Sequence, residues 1–202
     1  MPDARRSQPP MAPFEGVPLA AATQLLDRLA AADEWGFLVT WLESLLTNRM
    51  RLDPAFAVRL LRAYRETGRH DRAKEFAAAL PTNTSTWSPL EAARLSIERA
   101  LLATHEGRPD HAEAELRQAT RLLQSAPKNT GLREQLDLHI ATSQLELKLN
   151  RPGQASAALR LAEHVAERAE SGAWRAPVTM TLGHLAMRLS DPRTAVKHYE
   201  TA

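Results

Sequence analysis

The 202-residue chain contains no cysteine, which excludes disulfide bonds and thiolate metal sites. Glycine is scarce at eight residues, and neither GxGxxG nor GxxxxGK[ST] occurs, so the chain has no glycine-rich phosphate loop. The apolar run at 17–22 is too short to span a bilayer, and no signal-like basic segment precedes it. We therefore expect no membrane insertion and a cytoplasmic location.

A strong excess of one charge is also lacking. Lys and Arg total 26 against 24 Asp and Glu, which gives a formal net charge of +2. Acidic and basic residues alternate along the chain, as on solvated helix faces, and no basic tract stands out. This pattern argues against a nucleic-acid surface, and nucleic-acid binding stays the third alternative for the function.

The residues that are abundant favour helices. Apolar residues make up 44% of the chain, much of it Ala and Leu, while aromatic residues contribute only 5%. Ala and Leu have high helix propensity, and Ala allows two helix axes to approach closely. The composition predicts an all-α protein in which helices pack on helices.

Five segments of the sequence share one pattern, in which a helix ends, the chain turns and a second helix begins with small or apolar residues. They are AADEWGFLVTWLESL, GRHDRAKEFAAAL, GRPDHAEAELRQA, NRPGQASAALRLA and SDPRTAVKHYETA. An alignment on the first small or apolar position of the second helix superimposes Phe37, Ala73, Ala112, Ala155 and Ala195. The resulting period is about 40 residues, which is typical of helical repeats.

Apolar spacing and capping signals place two helices in each segment. The first helices are predicted at 17–31, 54–67, 89–106, 131–149 and 175–189, and the second helices at 33–47, 70–80, 109–125, 152–170 and 192–202. Gly68 and Gly107 are predicted in the left-handed conformation that ends a helix. Asp53 is predicted to cap the helix that begins at Pro54. Ser88 and Glu91 match a capping box.

The five units resemble tetratricopeptide repeats. The best match is Leu182-Gly183, Ala186, Ala195 and Tyr199, because the family combines a Leu-Gly pair with spaced small and bulky residues. The fourth unit departs at Glu146, and the first unit departs most, with Phe37 in place of the Ala. The resemblance covers residues 17–202 and implies a right-handed α-solenoid of about five antiparallel helix hairpins. Because the period is longer than the roughly 34 residues of the family, a generic helical-repeat fold or a partial bundle is the alternative.

The resemblance also implies a concave groove lined by the first helix of each hairpin. The implied partner-binding residues are Arg62, Arg65, Arg94, His105, Gln144, Lys148, His184 and Arg188. Apolar positions accompany them at Val58, Ile97, Leu101, Ile140, Leu147, Met180 and Met187. Such a wall suits a peptide or helix with acidic and apolar residues. Alternatively, the apolar residues pack against neighbouring hairpins.

Catalytic and metal-binding patterns are absent from the sequence. The seven histidines form no HExxH, and no two of them lie four residues apart on one helix with a carboxylate as a third ligand. No nucleophile lies beside a candidate base, and most Ser and Thr residues occupy caps or the loop at 81–88. We therefore expect no enzymatic activity, no cofactor and no metal.

The two ends differ from the repeats. Residues 1–16 contain four prolines and are predicted to form a disordered arm. The last helix is predicted to bury Val196 and Tyr199, so we expect the repeat domain to be incomplete at its C-terminal end, or covered there by another subunit. The sequence predicts a non-enzymatic scaffold that binds another protein. The alternative is an oligomerisation or regulatory segment of a larger signalling or transcription-regulating protein.

Overall fold

The computed structural model describes residues 19–47, 53–127, 130–169 and 174–202, and these ranges contain ten helices and no strand. The helices are α1 (Leu19–Ala31), α2 (Trp35–Thr47), α3 (Pro54–Glu66), α4 (His70–Ala79), α5 (Pro89–His105), α6 (Pro109–Ser125), α7 (Leu132–Lys148), α8 (Pro152–Arg168), α9 (Arg175–Arg188) and α10 (Pro192–Thr201). The prediction of an all-α protein is confirmed, and each helix end lies within two residues of its predicted position. The predicted arm at 1–16 lies outside the described residues.

The same turn joins the two helices of every pair. A residue in the left-handed conformation lies two positions before each second helix, and these residues are Asp33, Gly68, Gly107, Asn150 and Ser190. At Gly68 the backbone N–H donates to the carbonyl of Arg65 at 3.0 Å, and the next N–H donates to that of Tyr64 at 2.8 Å. All five turns repeat this pair of bonds, which satisfies carbonyls at the end of the first helix.

This shared turn corrects the alignment of the first unit. The alanine of each later pair lies five residues after the left-handed residue, and Leu38 holds that place after Asp33. Leu38 is buried, whereas Phe37 is 57% exposed and stacks on Trp41 with ring centroids 6.5 Å apart. The assignment of Phe37 was wrong by one residue, because α2 contains no alanine to fix the register.

The predicted small residues lie where the paired helices cross. All four alanines have 0% exposure, namely Ala73, Ala112, Ala155 and Ala195. In α9, Gly183 allows the Tyr199 ring of α10 to pack directly on the backbone. Small side chains at these positions therefore permit the close approach of the two helices.

Glu146 departs from the repeat pattern, but the helix register of the fourth pair matches that of the other pairs. The Glu146 carbonyl accepts the turn hydrogen bond from the Arg151 N–H at 2.8 Å, as its equivalents do in the other turns. Its carboxylate lies 3.7 Å from the Arg151 guanidinium. The acidic residue is thus accommodated at a half-buried position by an ion pair across the turn.

The predicted capping interactions are also confirmed. Asp53 Oδ1 accepts a hydrogen bond from the Ala55 N–H at 2.9 Å, next to the first residue of α3. Ser88 Oγ accepts from the Glu91 N–H at 3.2 Å, and Glu91 Oε2 accepts from the Ser88 N–H at 3.3 Å. These bonds satisfy donors that the first turn of a helix leaves unpaired.

The chain divides into two compact units, with the boundary between Phe76 and Ala77 inside α4. In the first unit, α1, α2 and α3 pack on one another around a leucine-rich core. Arg59 of α3 holds Asp27 of α1 through two hydrogen bonds of 3.0 and 2.9 Å. The Tyr64 hydroxyl donates to Glu43 of α2 at 2.8 Å. Side-chain hydrogen bonds therefore connect α3 to both α1 and α2.

The second unit contains the pairs α5–α6, α7–α8 and α9–α10. Besides its own partner, α7 packs on α5 and α6, and α9 packs on α7 and α8. One apolar cluster joins α5, α6 and α7, and another joins α7, α8 and α9. On α10, Tyr199 covers Gly183, but Val196 is 52% exposed, so its predicted burial was wrong.

Candidate binding surfaces

The predicted partner-binding residues fall in both units. Arg62 and Arg65 lie on α3 of the first unit, and the other six lie on α5, α7 and α9 of the second. All eight residues lie on first helices of the pairs, as the sequence predicted.

The two α3 arginines interact with groups of their own unit. The Arg62 guanidinium carbon lies 5.5 Å from the ring centroid of Trp35, and Arg62 Nε lies 3.7 Å from a Glu66 oxygen. Arg65 Nη2 donates to the same Glu66 carboxylate at 2.9 Å. Both side chains are half-buried, so the structure gives them a packing role inside the first unit.

Arg94 also has an internal partner. Its guanidinium forms an ion pair with Glu134 in the first turn of α7, and the Glu134 side chain is only 3% exposed. The pair joins α5 to α7 across forty positions of sequence. Nothing in the sequence distinguished Glu134 from other acidic residues at helix starts, because its burial depends on how α7 packs on α5.

The remaining predicted residues form an exposed row on the second unit. It consists of His105 on α5, Gln144 and Lys148 on α7, and His184 and Arg188 on α9. His105, Lys148 and Arg188 each lie two residues before the left-handed turn residue, so they hold equivalent places in the three pairs. Residues four apart share one face of a helix, which places Gln144 beside Lys148 and His184 beside Arg188.

The α7 and α9 parts of the exposed row lie side by side. Arg188 Nη2 donates to the Leu147 carbonyl at 3.2 Å, so the last turn of α9 lies next to the last turn of α7. The His184 ring packs edge-to-face with the Tyr199 ring, with centroids 5.8 Å apart. The structure thus brings four of the predicted residues together on one surface of α7 and α9.

The apolar part of the predicted groove is mostly interior. Val58 and Ile97 are buried. Leu101, Ile140 and Leu147 are half-buried and pack against the two apolar clusters, which is the alternative stated for these residues. Met180 and Met187 are 42% and 53% exposed. The apolar surface that α9 offers is therefore made of these two methionines.

Among the described residues, burial is the main cause of the pKa shift at two titratable side chains. Burial, followed by the hydrogen bond to Glu43, raises the pKa of Tyr64 to about 12. Burial lowers the pKa of His139 on α7. Neither residue belongs to the exposed row, so these shifts concern stability rather than binding.

A cleft that the sequence did not predict lies beside α8 and α9. It has a volume of about 220 Å³ and is open to solvent. The residues that line it are Glu163, Ala166, Glu167, Arg175, Val178 and Thr179. Among the described residues, no group of three His, Asp or Glu side chains is arranged to hold a metal ion.

Comparisons with protein-family models, with curated proteins and with solved structures find no match for this chain. Within the described ranges, no helix combines the length and the apolar character needed to cross a bilayer.

Proposed function

We propose that this protein is a non-enzymatic scaffold of tetratricopeptide-like hairpins, stacked as a right-handed α-solenoid, that binds a peptide or helix of another protein. The observation that supports the proposal is the packing of α5 on α7 and of α7 on α9. First helices that pack in succession form a continuous wall, and residues at equivalent turns then lie in rows on it. The proposal assigns no chemistry and no cofactor to the chain.

The chemistry of the exposed row favours an acidic partner segment. Lys148 and Arg188 are cationic, and His105 and His184 add hydrogen-bond donors. Met187 supplies exposed apolar surface next to Arg188. A peptide that combines carboxylates with aliphatic side chains matches this surface, and charge complementarity would also accelerate its association.

The proposal is tested by selecting ligands from a random peptide library displayed on phage. We expect peptides rich in Asp, Glu and aliphatic residues, which bind the wild-type chain and lose about tenfold or more in affinity for Lys148→Glu. Arg160→Glu provides a matched control, because Arg160 is an exposed cation on the second helix α8. Equal affinity for both variants, or selection without acidic enrichment, would contradict the proposal.

Sedimentation of the same protein distinguishes the scaffold from the self-association alternative. A monomer over a wide concentration range is expected, because the exposed row carries cations that repel a second copy. A concentration-dependent dimer that Lys148→Glu dissociates would assign the row to self-association instead.

A further inference from the structure

Three of the exposed apolar side chains of the α9–α10 pair hold places that face the next pair in earlier repeats. Met180 and Met187 of α9 are 42% and 53% exposed, and Val196 of α10 is 52% exposed. We call these three residues the α9–α10 face. Met180 and Met187 are seven residues apart, so they lie on the same side of α9.

The positions of Met180 and Met187 face the following pair in the preceding repeat. Counted from the left-handed turn residue, their equivalents on α7 are Ile140 and Leu147. Both pack against the apolar cluster that contains Val178 of α9. Side chains at these two positions are therefore normally covered by the next first helix.

The position of Val196 faces the same direction. Its equivalent on α6 is Glu113, whose carboxylate lies 3.9 Å from the guanidinium of Arg151 in the turn of the following pair. All three residues of the α9–α10 face thus occupy places that, one or two repeats earlier, contact the next pair. In the α9–α10 pair these places hold apolar side chains that no other helix of the described residues covers.

We propose that the α9–α10 face binds an α-helix supplied by a partner protein, which lies where a further first helix would lie. The α9–α10 face adjoins the exposed row at Met187 and Arg188 but extends to Val196 on α10, and the proposal does not depend on a ligand of the row. An exposed apolar surface of this kind indicates an interaction site, and the packing of α7 and α9 on their predecessors defines the geometry of its occupant.

The side chains of the partner helix follow from the two helices that already pack in this way. α7 inserts Leu138, Ala141 and Leu145 into the cluster of α5 and α6. In α9, Val178 and Leu185 enter the preceding cluster, and the buried Thr181 lies between them. Both helices combine large aliphatic residues seven apart with a small residue three positions after the first. The partner helix is therefore expected to carry the pattern Leu-x-x-Ala-x-x-x-Leu.

The charges around the face select among possible occupants. Arg193 and Lys197 of α10 flank Val196, and Arg188 follows Met187. All three are exposed cations, and they outnumber the two exposed acids beside the face, Asp191 and Glu200. A helix with acidic flanks would neutralise the net positive charge, whereas a second copy of this chain would bring a second net positive charge to it. The structure therefore favours an amphipathic helix with Glu residues beside its apolar stripe.

The test uses a synthetic 21-residue helix that carries this pattern with Glu at its flanks, labelled for fluorescence anisotropy. We expect saturable binding to the full chain that weakens about tenfold or more in the variant Met187→Gln/Val196→Thr. Leu161→Gln is the matched control, because Leu161 is 53% exposed on α8, and it should bind as wild type does. Neither variant changes charge, so the comparison isolates the apolar contact.

Two altered peptides and one further variant of the protein separate the contributions of close packing, of charge and of the exposed row to peptide binding. Replacing the central Ala with Trp, or the Glu flanks with Lys, should weaken binding, because the first blocks close packing and the second repels the cations. Lys148→Glu should leave binding unchanged, so a failure of the exposed row and a failure of this face are distinguishable. Any of three results would overturn the proposal. The first is no saturable binding at millimolar peptide, and the second is an equal loss of affinity in Leu161→Gln. The third is a dimer of the chain that Met187→Gln/Val196→Thr dissociates.

Discussion

Gly183 of α9 lies directly beneath the aromatic ring of Tyr199. A Cβ atom added at Gly183 would lie 2.7 Å from Cδ1 of Tyr199 and 2.8 Å from its Cζ. Carbon atoms that are not bonded to each other pack at about 3.5–4.0 Å, so even a methyl group does not fit there without movement of the ring or the helices. The close contact explains why this crossing requires glycine.

Gly183→Ala is therefore expected to destabilise the protein by about 1–2 kcal/mol, since overpacking outweighs the higher helix propensity of Ala. Gly153→Ala on α8 is the control, because its added Cβ meets no atom within 4 Å. That variant should be neutral or slightly more stable. Chemical denaturation of both variants measures the difference, and a Gly183→Ala protein as stable as Gly153→Ala would refute the explanation.

Removal of the Arg94 side chain should be costly, because it leaves the Glu134 carboxylate buried without its cation. We expect Arg94→Ala to lose about 2–3 kcal/mol in the free energy of unfolding. The double variant Arg94→Met/Glu134→Leu should recover most of this loss, since no buried charge remains. Arg117→Ala removes an exposed pair with Glu113 and should change stability by about 0.5 kcal/mol or less. Similar losses for both arginines would contradict the role of the buried pair.

Ser143 is fully buried at a helix crossing of α7, and its Oγ has no hydrogen-bond partner among the described residues. Ser143→Ala should therefore stabilise the protein by about 1 kcal/mol, because it removes an unsatisfied polar atom and raises helix propensity. Thr104→Val is the contrasting change, since the Thr104 hydroxyl donates to the Ala100 carbonyl at 2.8 Å. Thr104→Val should give no gain in stability. Thermal unfolding of the two variants tests this, and a loss in Ser143→Ala would argue against it.

Acid should weaken the fold through His139. Burial lowers its pKa in the folded protein below the usual 6.5, so the unfolded chain binds the proton more readily. The stability linked to this residue is fully present above about pH 6.5 and falls as the pH drops from there towards the folded pKa. His139→Gln should reduce this dependence of the unfolding free energy on pH between pH 7 and 5. Identical slopes of unfolding free energy against pH in wild type and His139→Gln would exclude the effect.

The sequence predicted the helices well because their ends are marked by local signals. Asp53, Ser88 and Gly107 each act within a few residues of their own position, so no tertiary information was needed to place them. The first repeat shows where local signals were not sufficient. Without an alanine in α2, the choice between Phe37 and Leu38 depended on the turn at Asp33, a left-handed residue that is not glycine and gave no warning in the sequence.

The candidate surfaces were predicted less completely. The sequence placed Gln144, Lys148, His184 and Arg188 on first helices, and the structure brings these four together on α7 and α9. It did not show that Arg94 pairs with a buried carboxylate, or that Val196 is exposed. Both facts depend on which neighbour covers a given side of a helix, and helical periodicity alone does not carry that information.

The amino-acid order by itself determined that this chain forms paired helices joined by short turns of one kind, because capping, proline position and residue size act over a single turn of backbone. Tertiary packing decided which side chains became core and which stayed in water. A helix has several possible buried sides, and only contact with its neighbours selects one of them. For the same reason, the interior position of Ile97 and the exposed position of Met180, which hold equivalent places in their repeats, were settled by packing.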